Sequence, residues 1–287
     1  MKRILVTGAN GFIGRRLVSA LKSAGHPVLE LASADGDIAE PETLARFDEH
    51  PVDFVFHLAS RTYVPDAWRE PADFQRVNVT GTINVLELCR QRKIPLTYVS
   101  AYLYGIPKSL PIKETDRIEP NNPYALSKLM AETACAFYAE HFGIPVTIIR
   151  PFNIYGPGQK AHFLIPEIIA QVTANKPIQL KDLLPRRDYL YLDDLIEALI
   201  CTLEAGEGLH LYNIGYGTSL SVGEIVEAIQ SVAGTSLPVV SENAPRRNEI
   251  PDVYADISKA AHELHWRPRH SFEEGIRKMI FNGEQHA

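Results

Sequence analysis

Cysteine is scarce in this chain, with only Cys89, Cys135 and Cys201 among 287 residues. They stand far apart in segments of helical character, so neither a disulfide framework nor a zinc site is expected, and no metal of any other kind. They read as reduced, mostly buried thiols. Positive charge is not in excess either. The 29 Lys and Arg stand against 35 Asp and Glu, a formal net charge of -6, which argues against a nucleic-acid partner and its basic contact face. No apolar run is long enough to span a bilayer. Met1-Lys2-Arg3 leads straight into a strand-like segment, leaving no room for a signal peptide. Internal repeats and low-complexity stretches are missing too. The expectation is a cytoplasmic protein with no nucleic-acid and no membrane partner. Its 45% hydrophobic and 22% charged residues are those of an ordinary globule, large enough for one major and one minor lobe.

What is present begins at the N-terminus. The apolar run Ile4-Leu5-Val6-Thr7 is followed by Gly8-Ala9-Asn10-Gly11-Phe12-Ile13-Gly14 and then by an amphipathic segment with Leu17, Val18 and Leu21 on one face. A buried strand turning at Gly8, a backbone approached by a pyrophosphate at Gly11, and a helix packed closely on the sheet at Gly14 account for the three glycines. The helix N-terminus then offers unpaired N–H groups and a favourable dipole to an anion. A plain strand-to-helix turn is the competing reading of glycines alone. The strand before them and the helix after them favour the dinucleotide site.

Strand-like and helix-like segments alternate through the first half, the pattern of a parallel sheet covered on both faces. Strands are expected at 4–7, 28–31, 54–58, 96–100 and 146–150, with helices at 12–24, 41–47, 72–92 and 123–142. Asn122 and Pro123 form a good start for the last helix and Gly143 a good stop. The Pro- and Gly-bearing stretch 151–159 marks a lobe boundary. A dinucleotide-binding part over 1–150 and a smaller substrate-binding part over 151–287 are therefore expected, with the chain crossing between them. Helices are expected at 164–174, 193–204, 222–233, 258–264 and 272–280, and short strands near 177–180, 211–214 and 238–241.

Tyr124-Ala-Leu-Ser-Lys128 places a phenol and an ammonium four residues apart on one helix face. For a phenol to act as a base near neutrality its pKa must fall by about three units from its value near 10. Lys128 and the positive end of the helix are the groups in the sequence that would lower it. The competing reading is a surface pair. Ser100 ends its predicted strand, where ligands of open parallel sheets bind, and would share a hydrogen bond with the oxygen that Tyr124 protonates or deprotonates. A serine merely tying the turn to Gly105 is the plainer alternative.

With these elements together, the chain resembles the extended short-chain dehydrogenase/reductase family of nucleotide-sugar epimerases, dehydratases and ketoreductases. The likeness runs through His57-Leu58-Ala59, Asn78-Val-Thr-Gly-Thr82, Tyr124 with Lys128, Arg150-Pro-Phe-Asn-Ile-Tyr-Gly-Pro157, Arg187-Asp188-Tyr189, Leu192-Asp-Asp194, Arg246-Arg-Asn-Glu249 and Trp266-Arg-Pro268. It implies a Rossmann-type doubly wound α/β sheet with a smaller α/β lobe. It also implies a catalytic set of Tyr124 as acid/base, Lys128 on the nicotinamide ribose and Ser100 orienting the reacting oxygen. By the same resemblance, Gly8, Asn10, Gly11, Phe12, Ile13, Gly14, Ala32, Ser33, Asp37, Ile38, Leu58, Ala59, Ser60, Asn78, Tyr124, Lys128 and Pro151 meet the cofactor, with Asp37 and Ile38 at the adenine. Asn153, Arg187, Arg246 and Glu249 meet the nucleotide-diphosphate sugar, and guanidinium groups suit its phosphates. A local ion pair between Arg187 and Asp188 is the competing reading of that motif. A homodimer pairing the helices 72–92 and 123–142 is a further expectation by resemblance.

Three departures narrow the reading. Ala32-Ser33 stand where many NAD-preferring relatives carry an Asp against the ribose 2′-hydroxyl, and no Arg follows immediately, so the cofactor is NADP(H) or NAD(H) with a slight lean to NADP(H). The segment from Leu31 to Asp37 is short, as in deoxysugar 4-ketoreductases. Ala101-Tyr102 stand where dehydratases of the family carry Asp-Glu, which discounts 4,6-dehydration. The expected activity is hydride transfer at C4 of an NDP-hexose, leaning to 4-ketoreductase with 4-epimerase as the alternative. A non-catalytic NADP(H)-binding sensor or structural subunit is the remaining, non-enzymatic alternative.

Overall fold

The computed structural model describes residues 1–243 and 250–281. Its first half follows the alternation read from the sequence. Strand β1 (Ile4–Thr7), helix α1 (Phe12–Ser23), β2 (Val28–Leu31), α2 (Glu42–Ala45) and β3 (Phe54–His57) come first. The short helices α3 (Val64–Arg69) and α4 (Pro71–Gln75) follow, then α5 (Gly81–Arg92), β4 (Leu96–Val99), α6 (Pro123–Phe142) and β5 (Val146–Pro151). The second half runs β6 (Asn153–Tyr155), α7 (Leu164–Thr173), β7 (Ile178–Leu180), β8 (Arg186–Arg187), β9 (Tyr189–Tyr191) and α8 (Leu192–Cys201). It continues with β10 (Leu209–Ile214), β11 (Leu220–Ser221), α9 (Val222–Ala233), β12 (Val239–Ser241), β13 (Asp252–Val253), α10 (Ser258–Glu263) and α11 (Phe272–Phe281).

Six strands form one sheet in the order β10-β5-β4-β3-β1-β2, all parallel, with Ile4 opposite Val28 and Phe54, and Val99 opposite Ile149. All-parallel sheets need both faces covered, which is why β1, β3, β4 and β5 are buried along their whole length. On one face, Leu17, Val18 and Leu21 of α1 meet Leu195, Ile196 and Leu199 of α8 and, farther on, Trp266. On the other, Val85, Leu86 and Cys89 of α5 meet Ala131, Cys135 and Ala139 of α6. Cys89 and Cys135 are buried free thiols, pushed up by desolvation, and Cys201 is half-buried. Among the described residues no group of His, Cys, Asp and Glu is arranged to hold a metal, and no helix is long and apolar enough to cross a membrane. The sixth strand, β10, comes from well past residue 150 and pairs with β5 along 209–214. The chain thus leaves the large sheet, returns to it, and leaves again. A second core gathers α7, α9 and α11 around Tyr155 and Tyr191.

The single helix expected over 72–92 is interrupted. Residues Arg76–Thr80 form a π-helical turn between α4 and α5, a local widening that often marks a functional position. Helix α3 and the two- and three-residue strands β6, β8, β9, β11 and β13 are not foreseen by periodicity, since such short runs hold too few residues for alternation to register.

Candidate active site

Every strand of the parallel sheet ends on the same side, and the loops beyond β1 to β5 carry most of the residues singled out above. At β1 the chain turns at Gly8 with φ of +71°, and a Cβ there would lie 2.7 Å from the Ala59 nitrogen. A Cβ at Gly14 would lie 2.1 Å from the Gly8 carbonyl oxygen, so only glycine lets α1 sit this close to the turn. Gly11 precedes α1 without a side-chain cap, and no acidic residue occupies the first turn. The helix therefore keeps unpaired N–H groups facing the loop, beside Asn10, Phe12 and Ile13. Leu58 N–H donates to the Thr7 carbonyl and Ala59 N–H to Thr7 Oγ1, fixing the loop after β3 against the glycine turn. These are the room and the donors that a dinucleotide pyrophosphate requires.

Beyond β2, Ala32 is buried and its N–H donates to Asp35 Oδ2, with Ser33 in the same turn. Asp37 accepts from Ala39 N–H and pairs with Arg76 at 2.7 Å, and these hold its carboxyl below the usual range. Ile38 packs on Gly81 at the start of α5. Ser60 Oγ donates to the Arg61 carbonyl. Asn78, in the π-helical turn, is held at both ends of its amide: its Oδ1 accepts from Arg61 N–H, and its Nδ2 donates to the Arg61 carbonyl and to Ser127 Oγ. It braces the loop after β3 against α6. Pro151 ends β5 and is buried.

The centre of the arrangement is where β4 ends against the start of α6. Asn122 caps that helix through Ala125 N–H at 2.9 Å, and Ala125, Tyr124 and Leu129 pack on Ala101 and Leu103. Lys128 Nζ donates to the Val99 carbonyl at 2.6 Å, one residue before Ser100, and lies 4.4 Å from the centre of the Tyr98 ring. Ser100 is 4% exposed, and its Oγ has no hydrogen-bond partner among the described residues. A buried hydroxyl left unpaired costs about 1–3 kcal/mol and calls for an explanation. The Tyr124 ring meets Phe74 edge-on. Burial pushes its phenol above the ordinary value, and desolvation lowers the Lys128 ammonium to about 7 against an opposing pull from Glu132. Desolvation alone sets the direction of the phenol's shift without a ligand, and the Lys128 ammonium is directed at the Val99 carbonyl. His57 stays neutral, lowered to about 3 by burial and then by Lys128, and links Thr7 to Thr82 through its two nitrogens.

The second half approaches from β8 and β9. Arg187 Nη1 donates to the carbonyls of Arg186 and Ile250. Its charge pulls on the Tyr102 phenol, which burial pushes up more strongly. Asp188 is not its partner. That carboxylate is fully buried and accepts from the N–H groups of Tyr216, Gly217 and Ala255, and desolvation raises it to about 6. Asn153 is exposed and donates to the Asp188 carbonyl. Tyr102, Tyr104 and Phe152 form an aromatic floor, with Ser100 two residues before it in the chain and Arg187 facing Tyr102. Arg246 and Glu249 lie outside the described residues. Sequence reasoning missed Tyr98, Asp35 and the carbonyl of Val99. The first two have no motif around them, and the third is a backbone atom.

The arrangement has counterparts. The model of the NAD-dependent epimerase/dehydratase family matches residues 4–215. GDP-6-deoxy-D-mannose reductase of Pseudomonas aeruginosa is 32% identical over 296 residues, covering 99% of this chain and 97% of its own. The structure of RMD from Pseudomonas aeruginosa complexed with NADPH superposes with a TM-score of 0.91 at 32% identity over 100% of both chains. That of UDP-glucose 4-epimerase from Thermus thermophilus in complex with NAD superposes with a TM-score of 0.88 at 29% identity, over 99% of this chain and 100% of that one.

Proposed function

The chain belongs to the NAD-dependent epimerase/dehydratase family, and from that premise we propose that it is a nucleotide-sugar oxidoreductase that reduces the C4 ketone of an NDP-4-keto-6-deoxyhexose. The bound nicotinamide dinucleotide supplies the hydride and, when oxidised, a cation beside the phenol. Gly8, Gly11, Gly14 and the N-terminus of α1 hold its pyrophosphate, and Lys128 meets the nicotinamide ribose. Tyr124 gives its proton to the C4 oxygen as the alkoxide forms, which suits a phenol that burial keeps protonated. Ser100 donates a second hydrogen bond to that oxygen. Arg187, Asn153 and Arg246 hold the diphosphate of the nucleotide sugar, and Glu249 meets another part of the same substrate.

The observation that carries this reading is the buried, unpartnered Ser100 Oγ one residue beyond the carbonyl that Lys128 engages. Ala101-Tyr102 offer no carboxylic acid for water elimination. The second reading is 4-epimerisation by the same three residues, favoured by the likeness to the Thermus thermophilus enzyme. The purified chain with NADPH or NADH and a 4-keto-6-deoxy nucleotide sugar tests the proposal. Stoichiometric loss of the 340 nm absorbance of the reduced nicotinamide, about one per sugar, supports the reductase. Interconversion of C4 epimers without net cofactor consumption supports the epimerase, and dinucleotide binding without turnover of any sugar overturns both. Leu126, Met130, Phe137 and Phe142 are exposed on α6, an apolar patch that supports a homodimer through α5 and α6. We place the enzyme in the cytoplasm, a reducing compartment that suits its three free cysteines.

A further inference from the structure

Lys128 is buried, yet among the described residues no carboxylate pairs with it. An ammonium taken out of water needs partners or it gives up its proton, so the groups around it decide whether it stays charged. On its own helix, Glu132 is joined to Arg150 through both carboxylate oxygens, and burial keeps the Cys135 thiol and the Tyr124 phenol protonated. From β3, His57 is neutral and held between Thr7 and Thr82. What remains is β4. Its Val99 carbonyl accepts from Lys128 Nζ at 2.6 Å, and the Tyr98 ring lies beneath the same atom, 4.4 Å from centroid to nitrogen. Strand alternation places that ring. Tyr98 stands opposite His57 of β3 and Ile148 of β5, packing with Leu96 against α5 and α6, while the Val99 side chain packs on the opposite face of the sheet.

We propose that Tyr98 is a positioning residue for the reaction, its ring face seating the Lys128 ammonium where a counter-ion would otherwise stand. This rests on the role given to Lys128 above. An aromatic ring presents negative charge over its face, and the attraction of a cation to it is strongest where water is excluded. It takes up no N–H in a hydrogen bond. Of the three donors of the ammonium, one is spent on the Val99 carbonyl and the others stay open to the nicotinamide ribose. A carboxylate in the same place would compete with the ribose hydroxyls for those donors. It would also set a negative charge next to Ser100, against the charge that develops on the C4 oxygen. Buried Arg150 shows the other solution, since it has a ring, that of Tyr104, and a carboxylate as well. Even with its two partners, desolvation lowers the Lys128 ammonium to about 7, so weakening the seat should move its titration further down.

The test follows the titration of Lys128 in the full chain carrying Tyr98→Leu, Tyr98→Phe or a fluorinated phenylalanine at position 98, whose ring keeps its shape but loses the negative charge of its face. In the ligand-free protein the unfolded chain holds the Lys128 proton more tightly, so stability to urea rises as pH climbs through the folded-state value. The onset of that rise should fall by about one pH unit in Tyr98→Leu and in the fluorinated variant, and by less than about 0.3 in Tyr98→Phe. With saturating reduced dinucleotide and the keto-sugar, the descending limb of kcat/KM against pH should move down by the same amounts, lowering turnover on that limb by about tenfold in the first two. The fluorinated variant carries the test if Tyr98→Leu fails to fold. An onset and a limb unmoved in these two variants, or moved as far in Tyr98→Phe, overturn the assignment of the Tyr98 ring and leave the proposed reaction standing. A wild type that turns over no keto-sugar overturns the proposed reaction, while the onset in the ligand-free chain still decides whether Tyr98 supports Lys128.

Discussion

Ser100 and Asp188 invite comparison, since each is a buried polar residue next to a strand end, one from each half of the molecule. Around Asp188 both carboxylate oxygens are engaged by backbone N–H groups, from Tyr216, Gly217 and Ala255. Around Ser100 the hydroxyl has no partner among the described residues, although Lys128 is bonded one residue away. The same contrast recurs deeper on α6. Glu132 and Arg150 are both buried and joined by several hydrogen bonds, and Tyr104 adds another. A buried polar group that is fully partnered organises the fold, and one left open awaits a ligand.

The largest expected effect breaks the contrast on the open side. Tyr124→Phe should lower turnover of the keto-sugar by about 10²- to 10⁴-fold while leaving dinucleotide binding within about threefold, measured by steady-state kinetics beside a fluorescence titration. On the closed side, Asp188→Ala leaves three donors without their acceptor and should cost about 4 kcal/mol of stability, measured by urea unfolding. Lys128→Met separates function from folding. Burial lowers the Lys128 ammonium from 10.5 to about 7, so the unfolded chain binds that proton more tightly and wild-type stability rises from pH 7 toward pH 10.5. The variant should lose that rise, stand on the order of 2 kcal/mol above wild type at pH 6 after losing the Val99 bond, and be inactive. The smallest effect is the sharpest: Ser100→Ala removes a hydroxyl with no partner among the described residues, so stability should hold or gain up to about 1 kcal/mol while turnover falls. A stability loss like that of Asp188→Ala would place Ser100 among the structural residues instead.

Much of this was legible beforehand because it is local. The glycine turn, the Asn122 cap, the Tyr124 and Lys128 spacing and the strands of the large sheet each follow from a few adjacent residues. The membership of β10 in the large sheet was not legible, since a strand of 209–214 carries no sign of which neighbour it will pair with. Nor was the choice of hydrogen-bond partners. Asn78 stands in a recognisable motif, but its bonds to Arg61 and Ser127 are not written there, and Asp188 turns from its neighbour Arg187 to distant backbone. Nor was helix α3, whose six residues, Val64–Arg69, are too few for a helical period to register.

The amino-acid order by itself determined the class of fold and the kind of chemistry, because hydrophobic period, glycine placement and helix-face spacing are short-range properties. Only the tertiary structure decided which polar groups are spent and which are left to act. Hydrogen-bond satisfaction and desolvation depend on what the rest of the chain brings within about 3 Å, as Asp35, Asn78 and Ser100 each demonstrate.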